Sequence, residues 1–283
     1  MMLGIPFSIY YNSNDIQAIL LAGISTSFIG GSAWFLTRKS DRSQVGKREG
    51  YIIVTLGWIL MSAFGATPFV IHGSIPSYTD AFFETMSGFT TTGASILKEV
   101  EVLPYGLMFW RSMTHWIGGM GIIVLSLAIL PLLGIGGMQL YQAEVAGPTK
   151  DKLHPRVRET AKRLWAIYFI FTSLQVILLL FGGMNLFDSL CHSFGTLATG
   201  GFSTKTQSVA YYNSAYIEYV ILIFMFIGGT NFALHYFALH GKINSYFKDD
   251  EFKFYLKLIL ISVIGLTIYL ILANGTPVEK TFR

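Results

Sequence analysis

The sequence predicts an all-α integral membrane protein, with about six transmembrane helices and two short re-entrant helix-and-loop segments between them. Three observations carry that prediction: an apolar composition, six apolar runs of span length, and two long connections that repeat one another. Of the 283 residues, 52% are hydrophobic and 13% are charged, whereas soluble domains carry roughly 25% charge. Mean hydropathy is +0.53. These values exclude a water-soluble enzyme. A net charge of +4 would suit nucleic acid if the basic residues shared one solvated face, but they are distributed over separate connections, so no nucleic-acid partner is expected. The single cysteine, Cys191, allows neither an internal disulfide nor a zinc site of its own. No metal-ligand spacing, nucleotide fingerprint or nucleophile elbow occurs, and no cofactor is expected.

A bilayer core about 30 Å thick takes roughly 20 apolar residues per helix. Runs of this kind fall at Ile16–Leu36, Tyr51–Ile71, Gly106–Leu133, Leu164–Phe181, Tyr216–Leu239 and Phe254–Leu272. The first is interrupted by polar Ser25–Ser27. Met2–Tyr11 is apolar for half a span, has no basic residues before it and is followed by polar Asn12–Asp15, so it does not read as a signal peptide. Fifteen of the twenty Lys and Arg residues lie in three connections, Arg38–Glu49, Leu133–Arg163 and Gly241–Lys257, while the acidic residues divide equally between these and the rest. An excess of Lys and Arg marks the cytoplasmic side. These three connections are therefore expected to face the cytoplasm.

The two opposite connections, His72–Tyr105 and Gly182–Ala215, are over thirty residues long and still largely apolar and aromatic. Ala81–Phe89 is long enough for a few helical turns and far too short to span, as a re-entrant segment would be. Thr79 or Asp80 is expected to cap its N-terminus, and Thr90-Thr91-Thr92-Gly93-Ala94-Ser95 ends it. Asp188–Phe194 starts a second short helix, closed by Leu197-Ala198-Thr199-Gly200-Gly201-Phe202-Ser203-Thr204. Asp80 precedes Gly93 by 13 positions and Asp188 precedes Gly200 by 12; Gly118 and Gly228 then follow these glycines by 25 and 28. The chain thus carries an internal repeat of about 108 residues, a common construction in membrane transport proteins.

Non-helical backbone at membrane depth is tolerated only where protein buries it or where it lines a water-filled cavity. A threonine run beside glycine can turn successive carbonyl oxygens inward, and several such loops around one axis replace the hydration shell of a cation. The partially negative C-terminal ends of the short helices add to that field.

The residues resemble those of the Trk/Ktr/HKT superfamily of potassium and sodium transporters, and most closely the bacterial TrkH-like potassium uptake subunits. The resemblance covers nearly the whole chain and rests on Arg48-Glu49-Gly50, Asp80–Ala94, Arg111–Gly121, Ala198–Thr204 and Asp250–Tyr255. It implies an incomplete four-repeat, channel-like fold in which each repeat is a helix, a pore helix, a filter loop and a second helix. Residues 1–50 would then be an extra N-terminal helix region with a basic loop, 51–133 the first repeat, 134–163 a cytoplasmic connection, and 164–241 the second repeat. Residues 242–283 would supply a loop and the first helix of a third. By this likeness Thr91, Thr92 and Gly93 belong to the first filter loop, and Ala198, Thr199 and Gly200 to the second. Family members carry four such loops and two are found here, so the chain is expected to be the N-terminal part of a longer protein.

The resemblance further implies K+ as the transported ion and the bacterial inner membrane as the location; a homo-oligomer, a dimer, is expected, as a pore completed by two copies would require. It also implies a cytoplasmic nucleotide-binding regulatory subunit docking on the inner loops, with Leu133–Arg163 as its contact surface. Only two of four filter glycines can be inspected, so K+ and Na+ both stay open. Two other readings fit the residues: a pore completed by two copies of the short chain, and a membrane protein that binds a partner without transporting. Among other polar groups, His115 is expected to be a hydrogen-bonded packing residue, His192 to bond nearby backbone, and His235 and His240 to be interfacial. Glu84 and Glu218 would attract cations or, as the plainer expectation, be solvated or paired with arginine. Gly118, Gly119, Gly121, Gly228 and Gly229 are expected to permit close helix contact.

Overall fold

In a computed structural model of the chain, residues 1–39, 47–133 and 153–274 are described, with the side chains of 47–50, 122–133, 153–159 and 274 left aside. Every regular element among the described residues is helical. A 3-10 turn at Met2–Gly4 leads into α1 (Ile5–Tyr10), followed by α2 (Ile16–Thr37), α3 (Lys47–His72), α4 (Tyr78–Phe89) and α5 (Tyr105–Leu133). Then come α6 (Leu153–Phe181), α7 (Leu186–Leu197), α8 (Ala215–Gly228), α9 (Phe232–Leu239), α10 (Asn244–Lys248) and α11 (Asp250–Asn274).

Four of these helices are long and apolar enough to cross a bilayer, at Ile16–Thr37, Tyr51–His72, Thr160–Phe181 and Asp250–Ala273. Their outer faces display Leu21, Ile24, Ile53, Leu56, Phe169, Ile170, Ile261 and Leu266 to the surroundings, a surface that fits lipid and would be costly in water. The expected span Gly106–Leu133 lies within the 29-residue α5. The expected span Tyr216–Leu239 is not one straight helix, since the chain bends by 100° between α8 and α9. Gly229-Thr230-Asn231 makes that break, and the Asn231 carboxamide oxygen caps α9 by accepting from the Ala233 N–H at 3.0 Å. Hydropathy is blind to this because the residues on both sides of the cap are equally apolar.

The fold is built around α5. Trp110 Nε1 donates to the Gly65 carbonyl on α3 at 3.0 Å, and Trp116 Nε1 donates to Thr172 Oγ1 on α6 at 3.1 Å. The N-terminal segment closes one end of it. The buried Asp15 carboxylate accepts from the Leu107 N–H at 2.8 Å, satisfying one of the donors that a helix start leaves open. The half-span Met2–Tyr11 is therefore a short helical plug packed beside α5. Two apolar cores result: one gathers α3, α4 and α5 around Phe69, Leu107 and Trp110, and the other gathers α6 and α8 around Tyr168, Leu179 and Phe224. By contrast, none of the apolar stretch of α11 is buried against the other described residues.

Candidate functional site

The short helices α4 and α7 have 12 residues each, about 18 Å at 1.5 Å per residue. The first is capped two or three residues earlier than the sequence suggested, and the second is capped by Asn185, ahead of the expected start at Asp188. Ser77 Oγ accepts from the Asp80 N–H at 3.4 Å and Asn185 Oδ1 accepts from the Asp188 N–H at 2.8 Å, so Thr79 and Asp80 are corrected to first-turn positions. Ser77 and Asn185 win because a cap must stand outside the helix and reach back to the third residue within it.

Both helices end in the same backbone motif. The Thr92 N–H donates to the Ser87 carbonyl at 2.9 Å and the Thr91 N–H to the Gly88 carbonyl at 3.1 Å; Gly200 and Thr199 repeat this to Gly195 and Thr196 at 2.8 and 2.9 Å. This pair of bonds usually places glycine in the left-handed position. Here the position is threonine, with φ of +54° at both Thr91 and Thr199. A β-branched residue there is a strained outlier, and such strain persists only where the surroundings enforce it.

Repetition of these angles gives a register that differs by one residue from the sequence reading. Gly93, at φ +76°, corresponds to Gly201, at φ +88°, and Thr92 corresponds to Gly200. Gly201 is thus the residue that spacing passed over. One signal was present: Asp80 to Gly93 and Asp188 to Gly201 are both 13 positions. The helix that follows each loop closes on it in the same way. A Cβ on Gly118 would strike the Phe89 carbonyl, and a Cβ on Gly228 would sit 2.8 Å from the Leu197 carbonyl oxygen. Phe89 and Leu197 are the last residues of α4 and α7.

The two loops touch. A Cβ on Gly93 would collide with the Gly200 carbonyl oxygen, so the structure brings together two segments over one hundred residues apart in sequence. Behind this contact lies a buried polar network. Arg111 Nε donates to Glu84 Oε1 at 2.7 Å, Nη2 to Ser95 Oγ at 3.1 Å, and Nη1 to the Ser203 carbonyl at 3.2 Å. Glu84 also accepts from the Ile96 N–H and from Ser95 Oγ, both at 2.9 Å. Arg111 therefore ties the stretch after the first loop to the stretch after the second. Glu84, 1% exposed, is an arginine-paired carboxylate and not a solvated one.

The second short helix repeats the theme with different chemistry. His192 Nε2 lies 3.5 Å from Ser203 Oγ, at the same eleven-residue separation as Glu84 and Ser95, so His192 bonds a side chain and not the backbone that was expected. Asp188 Oδ1 accepts from Thr204 Oγ1 at 2.6 Å. His115 corrects another expectation: it is fully buried, but neither ring nitrogen has a hydrogen-bond partner among the described residues. His235 is buried as well, between the Tyr246 hydroxyl at 2.7 Å and the Ile227 carbonyl at 3.0 Å. His240 is exposed.

Among the described residues no group of His, Cys, Asp or Glu could hold a metal ion. What the site offers is backbone oxygen, glycine, hydroxyls and one internally neutralised ion pair, which suits passage or binding of a simple ion better than bond chemistry.

Residues 15–277 match the family profile described as TrkH, cation transport protein. The chain is 46% identical over 245 residues to the Trk system potassium uptake protein TrkH of Escherichia coli K12, covering 86% of this chain and 50% of that protein. To TrkH of Halomonas elongata it is 41% identical over 267 residues, with 93% and 55% covered. The crystal structure of the potassium transporter TrkH from Vibrio parahaemolyticus superposes with a TM-score of 0.87 at 34% identity, over 99% of this chain and 57% of that one. The chain spans about half the length of the curated relatives it matches. With most of its length inside the family profile and its fold matched by a solved relative, this multi-pass membrane chain belongs to the TrkH family of cation transport proteins.

Proposed function

We propose that this chain forms part of a K+ uptake pathway in the bacterial inner membrane. A cation sheds water at the outer mouth and is coordinated by carbonyl oxygens of Thr91, Thr92 and Gly93 and of Ala198, Thr199 and Gly200, with Gly201 added as the counterpart of Gly93. It then descends to the cytoplasm, favoured by about 2.3 kcal/mol per charge per 100 mV of membrane potential. The observation that carries this reading is the contact between Gly93 and the Gly200 carbonyl, made by two strained loops of matching conformation. The names of the potassium uptake relatives support the choice of K+.

On this reading α4 and α7 are re-entrant pore helices, and α8 with α9 is one broken span, giving the six-span arrangement. Four loops complete the filter, the other two coming from further sequence or from a second copy, and the functional unit is a homodimer. A cytoplasmic nucleotide-binding subunit docks on Leu133–Arg163, of which 134–152 lies outside the described residues. Cytoplasmic Arg38–Glu49 is likewise only partly within them.

The test is rubidium uptake into liposomes holding the chain, beside Gly200→Asp, with and without the downstream half of a TrkH relative. Uptake that needs an intact Gly200, in either arm, supports the reading. Absence of uptake in both arms from a folded chain overturns it in favour of a non-transporting binding role. Sodium uptake equal to rubidium uptake would reassign the ion.

A further inference from the structure

The structure assigns to His115 the role of a positioning residue: its ring is the back wall that sets where the Gly200 carbonyl stands, and thereby the ion selectivity of the second loop. This rests on the reading that a cation passes these loops.

The imidazole has no exposed surface and neither nitrogen has a partner among the described residues, so none of them holds it by hydrogen bonding. It is held by stacking. Phe202 lies 3.9 Å from it, centroid to centroid, at 19°, and the Arg111 guanidinium carbon stands 3.6 Å from the same Phe202 centroid. Two groups so close to one centroid must take opposite faces, so the Phe202 ring is clamped between residues four apart on α5. The clamp brings the chain just before Phe202 hard against the imidazole. A Cβ on Gly200 would fall 2.5 Å from His115 Nδ1 and Cε1 and 2.7 Å from Cγ, well inside van der Waals contact. The Gly200 carbonyl meanwhile abuts Gly93. His115, Gly200 and Gly93 therefore form a packed series running from α5 through one loop to the other. The first loop has Ala94 at the position corresponding to Phe202, so it has no such clamp. Selectivity depends on the number and placement of coordinating carbonyls, and a wall of fixed thickness behind one of them controls that placement.

Because the nitrogens are unpartnered, shape is what matters, and a phenyl ring should serve while a small side chain should not. The experiment compares rubidium with sodium uptake in the transporting form of the protein for wild type, His115→Phe, His115→Ala and Phe202→Leu. The rubidium-to-sodium ratio should fall about fivefold or more in His115→Ala, fall less in Phe202→Leu, and stay within about twofold of wild type in His115→Phe. Impaired folding lowers both fluxes together and leaves the ratio unchanged, so the ratio separates positioning from stability. If His115→Phe loses selectivity as fully as His115→Ala, the nitrogens are needed and the proposal is overturned. A second readout is independent of transport: the carbonyl carbon resonance of Gly200 should move in His115→Ala while that of Gly73 does not. An unmoved Gly200 resonance overturns the positioning role. A moved resonance in a protein without uptake leaves the positioning intact and removes the transport reading.

Discussion

Arg111 and Glu84 form a buried ion pair, 2.7 Å between Nε and Oε1, with side chains 3% and 1% exposed. Such a pair costs desolvation, and removing one partner leaves the other charge uncompensated. Glu84→Ala should therefore destabilise the chain by about 3–5 kcal/mol, and a Glu84→Leu, Arg111→Met pair should recover much of that loss. Thermal unfolding in detergent measures both. A single substitution as mild as the double one would mean that the pair is not what joins the two loops.

Gly93 and Gly201 share a positive φ but differ in their surroundings. A Cβ on Gly93 meets the Gly200 carbonyl, while a Cβ on Gly201 has no atom of the described residues within 4 Å. Gly201→Ala then carries only backbone strain, of order 1 kcal/mol, and Gly93→Ala must in addition push two loops apart. Rubidium uptake should be abolished by Gly93→Ala and retained in part by Gly201→Ala. Equal losses would show that conformation alone, and not the contact, governs the site.

Thr91 and Thr199 occupy left-handed positions that suit glycine. Replacing either by glycine should relieve strain and raise stability by about 1 kcal/mol, with transport reduced as the loop loses its enforced shape. Unfolding temperature and uptake measured together test this. A fall in stability in both variants would mean that the threonine side chains contribute more than the strain costs.

Gly118 and Gly228 lie against backbone carbonyls, which cannot rotate away. Alanine at either should cost about 1–3 kcal/mol by overpacking. Alanine at Gly57 or Gly265, where no atom of the described residues lies within 4 Å, should be neutral or stabilising by up to about 1 kcal/mol. If all four substitutions behave alike, close helix approach is not the reason for glycine at Gly118 and Gly228.

Shortly before α5, the Glu101 carboxylate accepts from the hydroxyl of Thr206, which follows the second loop, and, at 2.8 Å, from its backbone N–H. The Thr206 hydroxyl, then the N–H, hold the Glu101 pKa below its ordinary 4.5. A depressed pKa stabilises the fold above the unfolded value and loses that effect as pH falls through the folded one. The gap in unfolding temperature between wild type and Thr206→Val should therefore be constant above about pH 5 and close progressively below pH 4.5. It should be small, because Glu101 is exposed and solvent screens it. A gap that widens on acidification would contradict this pairing.

Much of the fold was legible in the residues. Ile16–Leu36, Tyr51–Ile71, Leu164–Phe181 and Phe254–Leu272 recur inside α2, α3, α6 and α11 because lipid solvation demands a local run of apolar side chains. Both short helices and both Thr-Gly loops were also in view, since aspartate, threonine and glycine act through their own backbone neighbourhood. The break at Gly229-Thr230-Asn231 was not visible, because a 100° bend between two apolar helices leaves hydropathy unchanged.

The sequence by itself determined that this is a helical membrane chain with a duplicated helix, short helix and glycine loop, and it drew attention to Thr91–Gly93 and Ala198–Gly200. Only the tertiary structure decided between Gly200 and Gly201 as the partner of Gly93, and only it placed Gly93 on the carbonyl of Gly200, paired Arg111 with Glu84, and held His115 by stacking with no hydrogen bond among the described residues. The physical reason is range. Hydropathy, capping and turn preference act over a few residues, whereas the Arg111–Glu84 pair joins residues 27 apart and the Arg111–Ser203 contact residues 92 apart, and such contacts depend on how α5 seats against α4 and against the second loop, which no local pattern encodes.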